Sequence, residues 1–348
     1  MKFGTVPVEL SEGAIVAHAI KRDGLVLKKG ERISAQDIAR LQAADIADVV
    51  VAHLDEDDVG EDVAALMLAQ ALAGEHIRVE TPFTGRSNLF AKADGLLTLE
   101  PKVIDRVNAL DERVTIATLP RYRAVVAGEM VATVKIIPFA IPEKLVNKAL
   151  HILGDVQIAI APFQPLRIGV ISTLLPGLKT SVVDKTLRVL AERLRIAQAE
   201  IVAEVRVPHE TEALSSAMQV MAPAVDLVIV FGASAITDRR DVIPAALEAS
   251  GGCIEQLGMP VDPGNLLLFG TLADGIPILG APGCARSPVE NGFDWVLQRL
   301  LAGLTVSAAD IRAMGVGGLL MEIISRPQPR EGGSLPKDAN SKDVKSNV

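Results

Sequence analysis

The chain has 348 residues, more than one ordinary core accommodates, so two or three domains are expected. It is 49% hydrophobic and 22% charged but only 3% aromatic, so Ala, Val, Leu and Ile carry the packing, as suits helices laid on sheets. A net charge of −8 with no run of Lys or Arg excludes the basic face that a nucleic-acid partner requires, so any anion must be held locally, by backbone N–H groups and a few placed side chains.

In chain order, residues 1–75 read as an N-terminal α/β segment. Ser34 and Asp37 have the spacing of a capping box, which opens a helix through Ile38 and Leu41. A strand over 48–52 follows, then the acids Asp55, Glu56, Asp57, Asp58, Glu61 and Asp62 ahead of a helix over 63–72. Six carboxylates there suit either a divalent ion or a solvated loop facing a positive helix N-terminus, and the second is the simpler reading. Residues 76–160 read as a β-rich domain, with strands over 114–119, 123–127 and 132–137 broken by Gly and Pro. Lys135 lies inside one of these strands, where it either faces solvent or needs an anionic partner.

From 161 to 303 the texture becomes a strand–helix alternation. Strands are predicted over 168–172, 200–205, 227–231, 266–269 and 277–279, and helices over 182–194, 210–221, 241–249 and 288–301. Nearly continuous apolar strands between amphipathic helices predict an α/β domain, a mostly parallel sheet with helices on both faces. In such sheets, ligands bind beyond the carboxyl ends of the strands, in the strand-to-helix loops. A C-terminal extension over 304–330 and a polar tail over 331–348, expected to be disordered, complete the chain.

Four loops therefore carry the candidate chemistry. Gly232-Ala233-Ser234 ends an apolar strand, and Arg240-Asp241 opens the next helix. Gly232 removes a Cβ from the approach of a ligand, and the helix N-terminus favours an anion, or else Asp241 is merely an N-cap and Arg240 a surface charge. Asp262-Pro263-Gly264 forms a tight turn whose carboxylate can accept hydrogen bonds or hold a metal. Pro282-Gly283-Cys284-Ala285-Arg286-Ser287 leads into a helix and places Arg286 for a bidentate phosphate contact. Cys284 has no accompanying His, so a small residue fitted to a turn explains it better than a nucleophile. In the first loop, Thr173 to Asp184, Ser181 and Asp184 have capping-box spacing, so Asp184 serves the helix or faces the ligand, and both readings stand.

Two cysteines and five scattered histidines give neither a disulfide framework nor a zinc-ligand spacing. The opening residues lack a basic segment followed by an apolar one, and no apolar run reaches the ~18–20 residues of a membrane span. A soluble cytoplasmic protein with no membrane partner is expected.

These loops, in this order, resemble the molybdopterin-binding domain shared by molybdopterin molybdenumtransferase and molybdopterin adenylyltransferase. Gly232-Ala-Ser through Arg240-Asp241-Val-Ile-Pro is similar to that family's Gly-Gly-Thr and Arg-Asp segment, with Ala233 in place of a glycine. Met259 to Asn265 corresponds to its Met-Lys-Pro-Gly-Lys-Pro, and Ala281-Pro-Gly-Cys-Ala to its Leu-Pro-Gly-Asn-Pro. Val6-Pro-Val-Glu-Leu-Ser-Glu-Gly and Gly30 to Ile38 look like the first domain and hinge of the molybdenumtransferase. The whole chain more closely resembles the molybdopterin-binding half of bifunctional proteins whose other half is a molybdenum-cofactor nucleotidyltransferase. Two segments depart from the pattern: Thr173-Leu-Leu-Pro replaces an acidic Thr-Gly-Asp-Glu turn, and His209-Glu210 stands where an Asp pair is usual.

The resemblance implies molybdopterin as ligand, with its phosphate on the Gly232 and Gly283 loops. It further implies Mg²⁺ and molybdate near Asp241, Asp262 and Asp184, with Asp241 and Asp184 in catalytic roles and Thr173, Pro263, Gly264, Pro282 and Ser287 among the binding residues. The implied activity is molybdate insertion into adenylylated molybdopterin. A non-catalytic carrier acting with a separate nucleotidyltransferase or an apo-molybdoenzyme is the alternative, and a nucleotide-phosphate hydrolase on the same domain is a more distant one. A homo-oligomer is expected.

Overall fold

The structure is a computed structural model that describes residues 1–22 and 24–320. The predicted tail and the Arg326 to Arg330 segment lie outside the described residues. The chain divides into two compact units, Met1–Arg167 with Ala191–Ile201 and Val296–Val306, and Ile168–Leu190 with Val202–Trp295 and the described residues from Ser307 on.

The first unit begins with an antiparallel sheet in which Asp48–His53 lies between Lys2–Pro7 and Ile15–Val16. The helix Ala35–Ala43 closes it, opened by the predicted capping box: the Ser34 hydroxyl accepts from the Asp37 N–H, and the Asp37 carboxylate from the Ser34 N–H. Val8, Val16, Leu25, Leu41 and Val51 form its core. A second core, built on Leu68, Leu72, Leu89, Val134 and Ile141, packs the helix Glu61–Leu72 against a four-stranded antiparallel sheet. That sheet runs Val114–Thr118, Met130–Ile136, Arg86–Ala91, Ile77–Val79. Two helices that the β-rich reading did not include, Pro101–Asn108 and Glu143–Leu153, pack on each other in the same region. Each buries a stripe of apolar residues, such as Val103, Ile104 and Val107, between polar ones.

The acidic stretch is divided among local partners. Asp58 accepts from the Asp55 N–H at 2.8 Å, and Asp62 from the Gly85 N–H at 2.6 Å. Lys135, half-buried, finds the anion it needs in Glu61 at 3.7 Å and also donates to the Thr84 carbonyl. Desolvation raises the Glu61 carboxyl above its ordinary value, against the lowering effect of Lys135.

The second unit holds a six-stranded sheet. Its strands are β1 (Arg167–Leu174), β2 (Glu200–Pro208), β3 (Leu227–Phe231), β4 (Cys253–Leu257), β5 (Leu268–Thr271) and β6 (Pro277–Ala281), in the order β2-β1-β3-β6-β5-β4. Its helices are α1 (Thr180–Leu194), α2 (Thr211–Met221), α3 (Val242–Ala249), α4 (Gly292–Leu301) and the short α5 (Ala308–Arg312). β1, β3 and β6 pair in parallel, as the apolar runs predict, and all five residues of β3 are buried. β5 and β4 add an antiparallel hairpin at one side, and β4 is a strand the periodicity did not reveal.

Alternate residues of the central strands serve opposite faces. Ile171, Val228, Val230 and Ile278 pack with Leu214 and Met218 of α2 and Ile243, Ala246 and Leu247 of α3. Phe231 turns the other way and meets Phe293 of α4, ring centroids 6.5 Å apart and tilted by 49°. Phe293 is fully buried and Phe231 nearly so. Phe293→Ala should therefore cost about 3–5 kcal/mol of stability through lost burial and an unfilled cavity, read as a lower urea midpoint.

Candidate functional site

The carboxyl ends of β1, β3 and β6 release three loops on one edge of the sheet, and a cavity of about 190 Å³ lies among them. Its walls are Leu178 and Val182 from the β1 side, Gly232–Ala235 after β3, and Ala281, Gly283 and Arg286 after β6. A larger open depression of about 760 Å³ lies in the first unit, along Glu143, Lys144, Lys148 and His151. It runs along the helix Glu143–Leu153, with Asp57 and Leu110 completing its lining, and does not lie at the carboxyl ends of parallel strands. Parallel-sheet chemistry places ligands at strand ends, and the smaller cavity is the one so placed.

The cavity depends on Arg286. Its Nη1 donates to Thr186 Oγ1 and its Nη2 to the Gly232 carbonyl, both at 2.9 Å. Its guanidinium carbon lies 5.3 Å from the centre of the Phe231 ring. The Thr186 oxygen can accept because its own hydrogen goes to the Val182 carbonyl, one turn back along α1. Every one of these partners is neutral, and no carboxylate among the described residues pairs with Arg286. Burial pulls its guanidinium down from the ordinary value, with no acidic group acting against that effect. A partly desolvated cation held by dipoles and a ring face thus stands in the wall of a cavity with its charge unneutralised.

Opposite it, Thr173 Oγ1 accepts the Ala233 N–H at 2.8 Å and lies 2.8 Å from His209 Nδ1. Ser234 Oγ is 3.2 Å from His209 Nε2. The side chains of three sheet segments thus meet at the loop after β3. His209, at the end of β2, is the residue that the loop reading noted only as a departure. Its signal was positional, a titratable residue directly after a strand that reaches the same edge.

The structure brings Gly232, Ala233, Ser234, Gly283 and Arg286 together around the cavity, with Thr173 behind Ala233. It places the acidic candidates elsewhere. Asp184 pairs with Arg206 at 2.7 Å, and Ser181 lies within α1 rather than at its cap. Asp241 occupies the N-cap position of α3 without capping it. Its Oδ2 turns back to accept from Thr237 N, Thr237 Oγ1 and Asp238 N at 2.5, 3.0 and 2.9 Å. Those bonds hold the Asp241 carboxyl below its ordinary value. Arg240 points to solvent, 92% exposed, and pairs with Asp238.

Pro263 and Gly264 build protein packing rather than the cavity wall. The Pro263 carbonyl accepts from Gly292 N at 2.8 Å, and a Cβ on Gly264 would lie 2.7 Å from that same nitrogen. Gly264 thus lets the turn touch the start of α4. Asp262 is fixed through its backbone, N–H to Gly318 and carbonyl from Leu320. Pro282 and Ser287 flank the short helical turn Gly283–Arg286. Gly232 also differs from its expected role: a Cβ there would meet Ile243 and the Ser234 carbonyl, both at 2.8 Å. At Gly283 it would meet nothing within 4 Å. Among the described residues no group of three or more His, Cys, Asp or Glu is placed to hold a metal ion, and no helix is long and apolar enough to cross a membrane.

Residues 169–302 match the family model described as probable molybdopterin binding domain, and residues 5–53 match a domain of unknown function (DUF8806). Among solved structures, the chain is similar to a molybdopterin biosynthesis MoeA protein from Pyrococcus horikosii, at 14% identity over 87% of this chain and 75% of that one, TM-score 0.31. The molybdopterin biosynthesis enzyme MoaB from Thermus thermophilus aligns at 18% identity over 40% of this chain and 97% of that one, TM-score 0.28. A molybdenum cofactor biosynthesis protein from Pyrococcus furiosus aligns at 13% over 87% and 64%, TM-score 0.26. No curated protein matches the chain.

Asp241 offers a check on its local role. Its carboxyl should titrate below the ordinary aspartate value by NMR, so the order it gives the turn from Thr237 is full above that ordinary value and weakens as pH falls through the lowered one. Asp241→Ala, which removes the accepting oxygen, should produce that loosening at neutral pH as faster amide exchange at Thr237 and Asp238.

Proposed function

We propose that this chain, whose residues 169–302 belong to the molybdopterin-binding domain family, serves molybdenum cofactor biosynthesis by holding molybdopterin through its phosphate in the cavity between the Gly232 and Gly283 loops. The observation that carries the reading is Arg286, a desolvated guanidinium with only neutral partners in that cavity's wall. A phosphate supplies the missing charge, and the open space at Gly283 lets a ligand approach the backbone.

Molybdate insertion into adenylylated molybdopterin is the finer activity that the sequence resemblance implies, with molybdate as a substrate. Among the described residues the acidic candidates do not form a site for a resident Mg²⁺: Asp184 is paired with Arg206, and Asp241 is turned into its own loop. The same observation favours the second reading, a carrier that presents the pterin to a separate nucleotidyltransferase or apo-molybdoenzyme. In either role the chain's own contribution is to bind, orient and partly desolvate the phosphorylated end of the ligand.

Arg286→Ala should weaken molybdopterin binding by about tenfold or more, the scale of a hydrogen bond to a charged group. Gly283→Ala should weaken it while leaving the melting temperature unchanged. Arg286→Ala binding as tightly as the parent would sink the phosphate-site reading. Release of AMP from adenylylated molybdopterin on adding molybdate supports insertion, and tight binding without release supports the carrier.

A further inference from the structure

Hydrogen-bond polarity around His209 is fixed by burial. The Thr173 oxygen already accepts the Ala233 N–H at 2.8 Å, and Thr173 is only 1% exposed. Its hydroxyl hydrogen must find an acceptor inside the protein, and His209 Nδ1 lies 2.8 Å away. An imidazole that accepts at Nδ1 carries its hydrogen on Nε2. That nitrogen faces Ser234 Oγ at 3.2 Å and donates to it. One lone pair of the Ser234 oxygen is then taken, and its own hydrogen is left to point outward. Within the protein it meets the Ala235 carbonyl at 3.5 Å, the limit of a hydrogen bond, while Ser234 lines the cavity. Every link runs in one direction, from Ala233 N–H through Thr173 and His209 to the Ser234 hydroxyl.

We propose that His209 is a positioning residue that locks Ser234 as a donor to a phosphate monoester, so that the cavity selects phosphorylated over dephosphorylated ligands without a bridging divalent cation. The inference rests on the reading of this cavity as the pterin site. A phosphate dianion is acceptor-only, and the cavity meets it with donors from both walls, Ser234 on one and Arg286 on the other. A carboxylate at position 209 would reverse the chain. It would take the Ser234 hydrogen, turn the serine oxygen toward the ligand and add a negative charge beside it. The imidazole is therefore the group that decides the sign of this wall.

The test is equilibrium binding of molybdopterin and of its phosphatase-treated product to the full chain, with EDTA present. The parent should prefer the phosphorylated form by at least about tenfold. His209→Ala should lose that preference while binding the dephosphorylated form unchanged. In His209→Gln the amide oxygen can accept from Thr173 and the amide nitrogen can donate to Ser234, so it should restore the preference, as a merely structural role would not require. His209→Asp should bind the phosphorylated form more weakly than His209→Ala in EDTA and recover on adding Mg²⁺. A parental preference retained in His209→Ala, or a folded His209→Gln that fails to restore it, overturns the proposal and leaves the pterin reading standing. A parent that binds neither form overturns both. If His209→Ala does not fold, the contrast between His209→Gln and His209→Asp decides the same question.

Discussion

A half-buried guanidinium against an aromatic ring ties the second unit's loops together. Arg286 joins the turn after β6 to the carbonyl that ends β3 and to a hydroxyl on α1, with the Phe231 ring beneath it. Burying a charge is costly unless its hydrogen-bonding capacity is met, and here it is met by dipoles and a π-face without an opposing charge. The arrangement ties three segments together and leaves the positive charge unneutralised at a cavity. Phe231 in turn needs Phe293 behind it, so the packing of α4 and the placement of the cation are one structural problem.

The strand-end loops divide their work around that cation. The Gly232 loop and the Gly283 turn form walls of the cavity, while the Asp262 turn fastens the start of α4 and the segment at Gly318. Their glycines are alike in sequence and different in function. Gly232 and Gly264 are small because protein atoms stand where a Cβ would go, whereas Gly283 faces open space. The acidic side chains follow the same division. Asp241 satisfies backbone donors of its own turn, which orders the loop before α3, and it is not part of the cavity lining. Among the described residues, the cavity wall thereby carries the donors of Ser234 and Arg286 and no carboxylate.

Much of the fold could be read directly. β3 needed only its apolar run, Leu-Val-Ile-Val-Phe, because a strand buried on both faces has no polar residues to interrupt it. The Ser34 capping box was legible because its two bonds span three residues. β4 was not legible: Cys-Ile-Glu-Gln-Leu is half-exposed at the sheet's edge, follows two glycines and contains two polar residues. Within the site, the Gly232 and Gly283 loops and Arg286 were found from strand–turn–helix spacing. Thr186 was missed because its partner lies 100 residues away, and His209 because its two contacts come from other strands' ends.

The sequence by itself determined the alternation of strand and helix and the edge of the sheet on which the Gly232 and Gly283 loops meet. Each of these follows from local periodicity and from the steric freedom of Gly and Pro, which need no knowledge of distant residues. Tertiary structure alone decided which side chains meet at the cavity. Asp184 could have faced a ligand until Arg206, 22 residues on, was placed 2.7 Å from it. Arg286 could have been a surface charge until Phe231 and Thr186 enclosed it. A charged group's role is set by what lies within a few ångströms, and in a sheet whose strands cross over through helices those neighbours are far apart in the chain.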